Sequence, residues 1–299
     1  MQPKIPVVSM LKAESANPAL DFVSAIVLKR LARATNQRAY QLTLPNHSNV
    51  PDANIARFWD DIYQNFDPTA TVIGKLELPP GARPLGHRKI LIVACGTGEQ
   101  VVRACREAEE VTAIDISPNA ISNARAIVEH HGYKANYVVG DAGRSGIAEE
   151  SFDVIWGSAV LHHLMHEEVA SEFARILKPG GVVYMLSEPT FFNPLLKISY
   201  ELAFGKGRAG RRKRFLIFTR SGDEFEKPIE KNDLEVWRRD FDITARPRGF
   251  MFLEKVGHAL SHNPAICRLF IRMDRGLVKL FPSLKKYGYE YDFIFEKKR

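Results

Sequence analysis

The stretch ILIVACGTGEQ (90–100) decides how this 299-residue chain is read. An apolar run passes directly into Gly96-Thr97-Gly98, and helix-forming residues follow at once. The pattern is strand, glycine turn, helix, in which backbone can approach a ligand where side chains would collide. A G-x-G turn serves many nucleotide-binding folds, and the residues downstream narrow it. Asp115 closes the next apolar run, VTAID (111–115), where an acidic side chain can accept from two ribose hydroxyls. Asp141-Ala142 ends the third run, NYVVGD (136–141). A carboxylate there can accept from an exocyclic amine such as that of adenine, and the next backbone N–H can serve a ring nitrogen. A dinucleotide site of the G-x-G-x-x-G type would need glycine at 101, where Val101 stands, and no GK[ST] phosphate loop occurs.

Outward from this stretch, apolar runs alternate with helix-length segments. KILIVA (89–94), VTAID, NYVVGD, FDVIWG (152–157) and VVYMLSE (182–188) read as strands. TGEQVVRACREA (97–108), PNAISNARAIVEHH (118–131) and HEEVASEFARIL (166–177) read as helices. Ser117 caps the second helix, Pro118 opens it and Gly132 ends it; LKPGG ends the third. Strands apolar throughout and separated by helices predict a parallel sheet covered on both faces. Upstream, 18–34 and 53–65 have helical spacing, and PPGARPLGHR (79–88) reads as a linker. The domain reading is an N-terminal helical cap and linker over 1–87, then one domain over 88–299. Beyond Glu188 the pattern loosens into an insertion over about 189–286. DLEVWRRDF (233–241) reads there as a helix, ITARPRGFMFLEKV as a strand broken near Pro247, and 264–281 as a helix. YGYEYDFIFEKK (287–298) closes the chain as an alternating, edge-type strand.

Composition excludes several classes. With 45% hydrophobic residues the chain can build a core, and three cysteines are too few and too scattered for a disulfide framework or a zinc knuckle. No secretory signal and no membrane span is read from the sequence, so the expected location is cytoplasmic. The net charge of +7 is uneven: residues 88–187 carry −4, the residues before them +2 and those after them +9. A mildly acidic centre and a basic C-terminal third suggest a cofactor core with segments that meet an anionic partner.

With ACGTG, the acid of AIDIS, the GDA after the third strand, FDVIWGSAVLHHL and RILKPGGVVYM in place, the chain resembles the class I S-adenosylmethionine-dependent methyltransferases of the small-molecule branch, including the ubiquinone/menaquinone type. The resemblance covers about residues 53–188. It implies an α/β, Rossmann-like fold with a seven-stranded, mostly parallel sheet, helices on both faces, an N-terminal helical cap and a C-terminal insertion. It implies S-adenosylmethionine as cofactor, S-adenosylhomocysteine as product and no metal. The implied cofactor-binding residues are Ala94, Cys95, Gly96, Thr97, Gly98, Asp115, Ile116, Asp141, Ala142 and Ser158. Two positions depart from the family pattern: Ile92 stands where an acid is usual, and Ala94 where the first glycine is usual.

Methyl transfer needs an aligned acceptor and, for many acceptors, a base. Glu188, His162 and His163 qualify by their place at strand ends. The histidines read more readily as packing beneath the cofactor, as the resembled family often carries such a pair, and Glu188 reads equally as an anchor for its loop. Phe58, Trp59 and Tyr63 read as a lid or as simple helix packing. The run FGKGRAGRRKRFLIFTR (204–220) holds seven Lys or Arg and no acid, which fits an anionic acceptor group, nucleic acid, a lipid surface or a solvated loop. Nucleic acid is disfavoured, because Trp156-Gly157-Ser158-Ala159 replaces the N-P-P-Y type tetrapeptide and no cysteine stands there. The expected activity is O- or N-methylation of a small-molecule acceptor. A quinone or lipid-linked acceptor at a membrane surface is the alternative, and a non-catalytic cofactor-binding subunit is the alternative of another class. The oligomeric state is left open.

Overall fold

The structure, a computed structural model, describes residues 53–64, 73, 79, 82, 84–204, 214–215, 218–219, 227–250, 252–254 and 264–299. The chain divides into two units, Met1–Ser48 and Asn49–Arg299. The first unit, with the helix expected over 18–34, lies outside the described residues, as does most of the basic run 204–220.

The second unit begins with helix α1 (Ala53–Ile62). The alternating core follows as β1 (Lys89–Val93), α2 (Glu99–Cys105), β2 (Glu110–Asp115), α3 (Pro118–His130), β3 (Asn136–Val139), β4 (Phe152–Ser158), α4 (His166–Ile176) and β5 (Leu177–Pro189). Then come α5 (Pro194–Phe204), a small ribbon of β6 (Arg214–Phe215) with β7 (Phe218–Thr219), and β8 (Phe241–Gly249). Helix α6 (Pro264–Leu280) and strand β9 (Glu290–Lys297) close the chain. The seven-stranded sheet has the order β3-β2-β1-β4-β5-β9-β8. Its first five strands are parallel, and β9 runs antiparallel to both neighbours.

The strands are apolar throughout because both faces are covered. Ile90 and Ile92 pack with Val101, Val102, Ala124 and Ile127 of α2 and α3. Leu91 and Val93, one residue out of phase, pack with Phe173, Ile176 and Trp237 on the opposite face. Ser117 caps α3 as expected, accepting from the Ala120 N–H at 3.0 Å, and Pro118 opens the helix. Among the described residues no helix is long and apolar enough to cross a membrane.

Three details differ from the sequence expectations. The segment 233–241 is not one helix: it is two short 3-10 turns, Lys231–Leu234 and Val236–Arg239, followed by β8. Leu234 and Trp237 are both buried, and their spacing of three matches a three-residue turn. The C-terminal strand is not an edge: β9 lies between β5 and β8, with Phe293 and Phe295 fully buried. The edge is β8, which carries Pro247, a residue confined to positions where no ladder donor is needed, and its register shifts there. Strand β5 also starts earlier than expected, at Leu177, with a register shift opposite Phe152/Val154 where LKPGG suggests a turn.

Trp237 anchors this second face. It is fully buried among Phe173, Phe241 and Phe295, and its indole N–H donates to His166 Nδ1 at 3.1 Å. Trp237→Ala is expected to cost about 3–5 kcal/mol in urea unfolding. Trp237→Phe should cost less, keeping a ring among Phe173, Phe241 and Phe295 while losing part of the indole volume and the bond to His166.

Candidate functional site

The glycine turn leaves β1 through three residues in the left-handed region: Ala94 (φ 50°), Gly96 (φ 53°) and Gly98 (φ 89°). Ala94 therefore holds a backbone conformation that costs a residue with a Cβ about 1–2 kcal/mol. At Gly98 a Cβ would lie 2.5 Å from the Ala124 Cα, so glycine is demanded by the contact of α2 with α3 as well as by its φ. The start of α2 is thereby pressed against α3 at the carboxyl end of the sheet.

Asp115, at the end of β2, holds this turn from the other side. Its Oδ2 accepts the Gly96 N–H at 2.9 Å and its Oδ1 the Ser117 N–H at 3.0 Å. The side chain is buried, and burial pushes its pKa up to about 6, against the amides of Ser117, Gly96 and Ile116, which favour the charge. Cys95 is buried beside it, and its thiol is pushed well above the usual range by burial and then by the Asp115 charge.

Helix α1 covers the turn. Asp60 Oδ1 accepts from Ser117 Oγ at 2.8 Å and from the Asn119 N–H at 2.9 Å, so one carboxylate fastens α1 to the start of α3. Asn123 Nδ2 donates to the Tyr63 carbonyl at 2.7 Å. The Tyr63 hydroxyl lies over Gly96, close enough that a Cβ there would meet it at 2.9 Å. Trp59 stacks on Tyr63 and meets His163 edge-on at 5.2 Å. The sequence alone points to Trp59 and Tyr63 but not to Asp60. Nothing local marks that residue, because its partners lie 57 and 59 positions away.

The remaining candidates divide. Thr97, Ile116 and Ser158 are half-buried at strand ends of the same edge. Asp141 and Ala142 lie beyond β3, which ends at Val139, in a turn where Asp141 Oδ1 accepts the Gly143 N–H at 2.9 Å. Ala142 is part of the core, and partial burial raises the Asp141 pKa. Ile92, where an acid is usual in the resembled family, is buried against α2 and α3.

Glu188 is fully buried. Its Oε1 accepts the Val160 and Leu161 N–H groups at 2.9 and 3.0 Å, and its Oε2 accepts the His162 N–H at 3.4 Å and meets His162 Nδ1 at 2.9 Å. Strand alternation alone would put Glu188 with Val182, Tyr184 and Leu186. The register shift between Met185 and Glu188, at Ser187 with φ 57°, resets the alternation and turns the carboxylate under the loop after β4. The arrangement joins two of the three candidate catalytic residues as a His–Glu pair. His163, its ring 4.1 Å from that of His162, connects the pair to Trp59 of α1. Among the described residues no three His, Cys, Asp or Glu side chains are grouped to hold a metal.

Residues 91–185 match the family model described as a methyltransferase domain. The ubiquinone biosynthesis O-methyltransferase of Thiobacillus denitrificans is 30% identical over 146 residues, 46% of this chain and 63% of that protein. The ubiquinone/menaquinone biosynthesis C-methyltransferase UbiE of Nitrobacter hamburgensis is 27% identical over 194 residues, 60% of this chain and 72% of that protein. The chain spans only a fifth (20%) of the biotin biosynthesis bifunctional protein BioHC of Cellvibrio japonicus, which is 32% identical over 102 residues. A solved phosphoethanolamine N-methyltransferase 2 of Haemonchus contortus superposes with a TM-score of 0.45 at 17% identity, covering 73% of this chain and 50% of that one.

The buried Asp115 predicts a pH signature. Its folded pKa of about 6 exceeds the ordinary 3.8, so between these values the folded state holds more proton than the unfolded one. Stability should therefore fall as pH rises from about 4 to 6, by on the order of 3 kcal/mol, and level off above. Urea unfolding of wild type and Asp115→Asn across pH 4–7 checks this: the wild-type loss should be absent from the variant.

Proposed function

We propose that this chain, whose residues 91–185 form a class I methyltransferase domain, transfers the methyl group of S-adenosylmethionine to an oxygen or nitrogen of a small-molecule acceptor. The observation that carries this reading is the Asp115 carboxylate at the end of β2, clamped to the glycine turn by the Gly96 and Ser117 amides. A carboxylate has about four acceptor positions, and at these distances each oxygen takes one amide, so acceptor capacity remains for a ribose diol. The cradle fits an adenosyl group in other respects as well. Backbone between Ala94 and Gly98 presents no side chain of bulk at the turn. Asp141 offers an acceptor to an exocyclic amine and Ala142 an N–H to a ring nitrogen. With Ile92 apolar, another residue or a backbone carbonyl of the turn receives the amino group of the methionine part in this reading.

The cofactor, when bound, supplies an electrophilic methyl carbon on sulfonium sulfur. The chain supplies alignment and a place for the acceptor's proton. His162, oriented through Nδ1 by Glu188, is the base in this reading, and Glu188 is a positioning residue that fixes the imidazole and the loop beneath it. Helix α1 closes the turn from above. Tyr63 lies over Gly96, and in this reading α1 shifts to admit the cofactor and then excludes water from it. A second reading, a lipid-dissolved acceptor, is favoured by apolar faces exposed on α5 and α6.

Purified protein with methyl-labelled S-adenosylmethionine and a metabolite extract should give a labelled product, and a cofactor-binding subunit without turnover would give none. Asp115→Ala should weaken S-adenosylhomocysteine binding by roughly 1.5–3 kcal/mol in calorimetry. His162→Asn should lower kcat by about 10²–10⁴ with cofactor affinity intact. Glu188→Gln should lower kcat less and also reduce stability, through the amides it holds. Near-normal kcat in both, and in His163→Asn, would mean that catalysis is alignment alone.

A further inference from the structure

Two helices present apolar side chains to solvent in continuous stripes. On α5, Leu195, Ile198 and Leu202 recur at i, i+3 and i+7 and are 54–75% exposed. On α6, Ile266, Leu269, Met273 and Leu280 recur at i, i+3, i+7 and i+14 and are 40–73% exposed. Each spacing keeps its residues on one side of a helix. Helix α6 is already attached to the domain by a different side. There Cys267 and Asp274 are buried, and Asp274 accepts the Leu253 and Glu254 N–H groups at 3.0 and 2.8 Å. The apolar stripe is therefore not the one that packs the helix onto the fold.

The third side of α6 is basic. Arg268, Arg272, Arg275 and Lys279 recur at i, i+4, i+7 and i+11 and are all exposed. Lys285 and Lys286 follow in the exposed turn after the helix. The one acid over 264–287 is Asp274, which faces the domain. No carboxylate of the described residues forms an ion pair with any of the six basic side chains. Apolar and basic stripes side by side on one helix are the pattern of a helix lying in the headgroup boundary, with apolar groups dipping inward and cationic heads on anionic lipid.

Topology puts both helices at the same edge. Helix α5 follows the carboxyl end of β5 directly. Glu290, at the start of β9, pairs with Pro189 at the end of β5 and with Gly249 at the end of β8. The whole 250–289 connection, including α6, thus leaves and returns at the carboxyl edge, where Asp115, Ser158 and the His162 loop also lie.

We infer that the exposed faces of α5 and α6 dock the protein on an anionic phospholipid bilayer, with the carboxyl edge of the sheet turned toward the lipid. Resting on the methyl-transfer reading, this assigns the acceptor to the lipid phase: a molecule with an apolar body delivered from the bilayer to the edge beside His162. Among the described residues no helix is long and apolar enough to cross a membrane, so this attachment is peripheral and reversible. Charge drives it together with apolar burial, so it should weaken with salt.

The test is sedimentation of the full chain with phosphatidylcholine vesicles with and without phosphatidylglycerol. S-adenosylhomocysteine affinity is measured separately by calorimetry without vesicles. The protein should pellet with the anionic vesicles and stay in solution with the neutral ones. Arg268→Gln/Arg272→Gln/Arg275→Gln/Lys279→Gln should lower the partition coefficient at least about 30-fold. Leu195→Ser/Leu202→Ser/Leu269→Ser should lower it at least about tenfold. All seven side chains are exposed, so circular dichroism and cofactor affinity should be unchanged in both variants. Absence of pelleting, or pelleting indifferent to both variants, would overturn the docking surface. So would a dimer in light scattering that the leucine variant splits, since the apolar faces would then meet a second copy. Vesicle binding without cofactor binding would overturn the methyl-transfer reading alone, and the converse would overturn docking alone.

Discussion

The Asp115 carboxylate is the constraint on which the candidate site depends. One side chain at the end of β2 accepts from Gly96 in the turn after β1 and from Ser117 at the start of α3. It therefore fixes two strand ends and a helix N-terminus relative to one another. Its charge is held in a buried place by donors that belong to the backbone, which cannot rotate away. That arrangement keeps the pKa near 6 from rising further. It also leaves a carboxylate close to ionised at neutral pH and aimed along the edge where ligands bind in open parallel sheets. Ser117 extends the network: it caps α3, donates to Asp60 and so carries helix α1 as well.

Much of this was legible in the sequence, for a physical reason. Continuous apolar strands such as ILIV (90–93) arise only where both faces are covered, and the structure places alternate residues of that run in two separate cores. Ser117, Pro118 and Gly132 marked the limits of α3 because caps are local chemistry. The glycine turn and Asp115 were legible because a turn between strand and helix restricts which residues fit. The C-terminal strand was harder to place. Its alternation suggested an edge, yet β9 lies inside the sheet, and the edge is the strand with Pro247, whose missing N–H was the better signal.

Interactions made across long separations left little local trace. Glu188 invited a role at the acceptor because it ends a strand. A register shift at Ser187 turns it inward, onto amides 26–28 residues earlier in the chain. Asp60 lies on a helix more conspicuous for its aromatic residues, and its partners are fixed only once α1 lies across α3. The exposed stripes of α5 and α6 were a matter of burial: periodicity located the helix over 264–281, but not which of its sides the domain would leave open.

The central claim, that Asp115 receives a ribose diol, is tested most directly by removing the partners on both sides. Calorimetry would compare S-adenosylhomocysteine and its 2′,3′-dideoxy analogue on wild type and on Asp115→Ala. If the carboxylate holds the diol, loss of the hydroxyls weakens binding to wild type but hardly affects the variant, with a coupling of about 1.5–3 kcal/mol between the two changes. Equal losses on both proteins, with no coupling, would contradict the account: Asp115 would then serve only to brace the glycine turn.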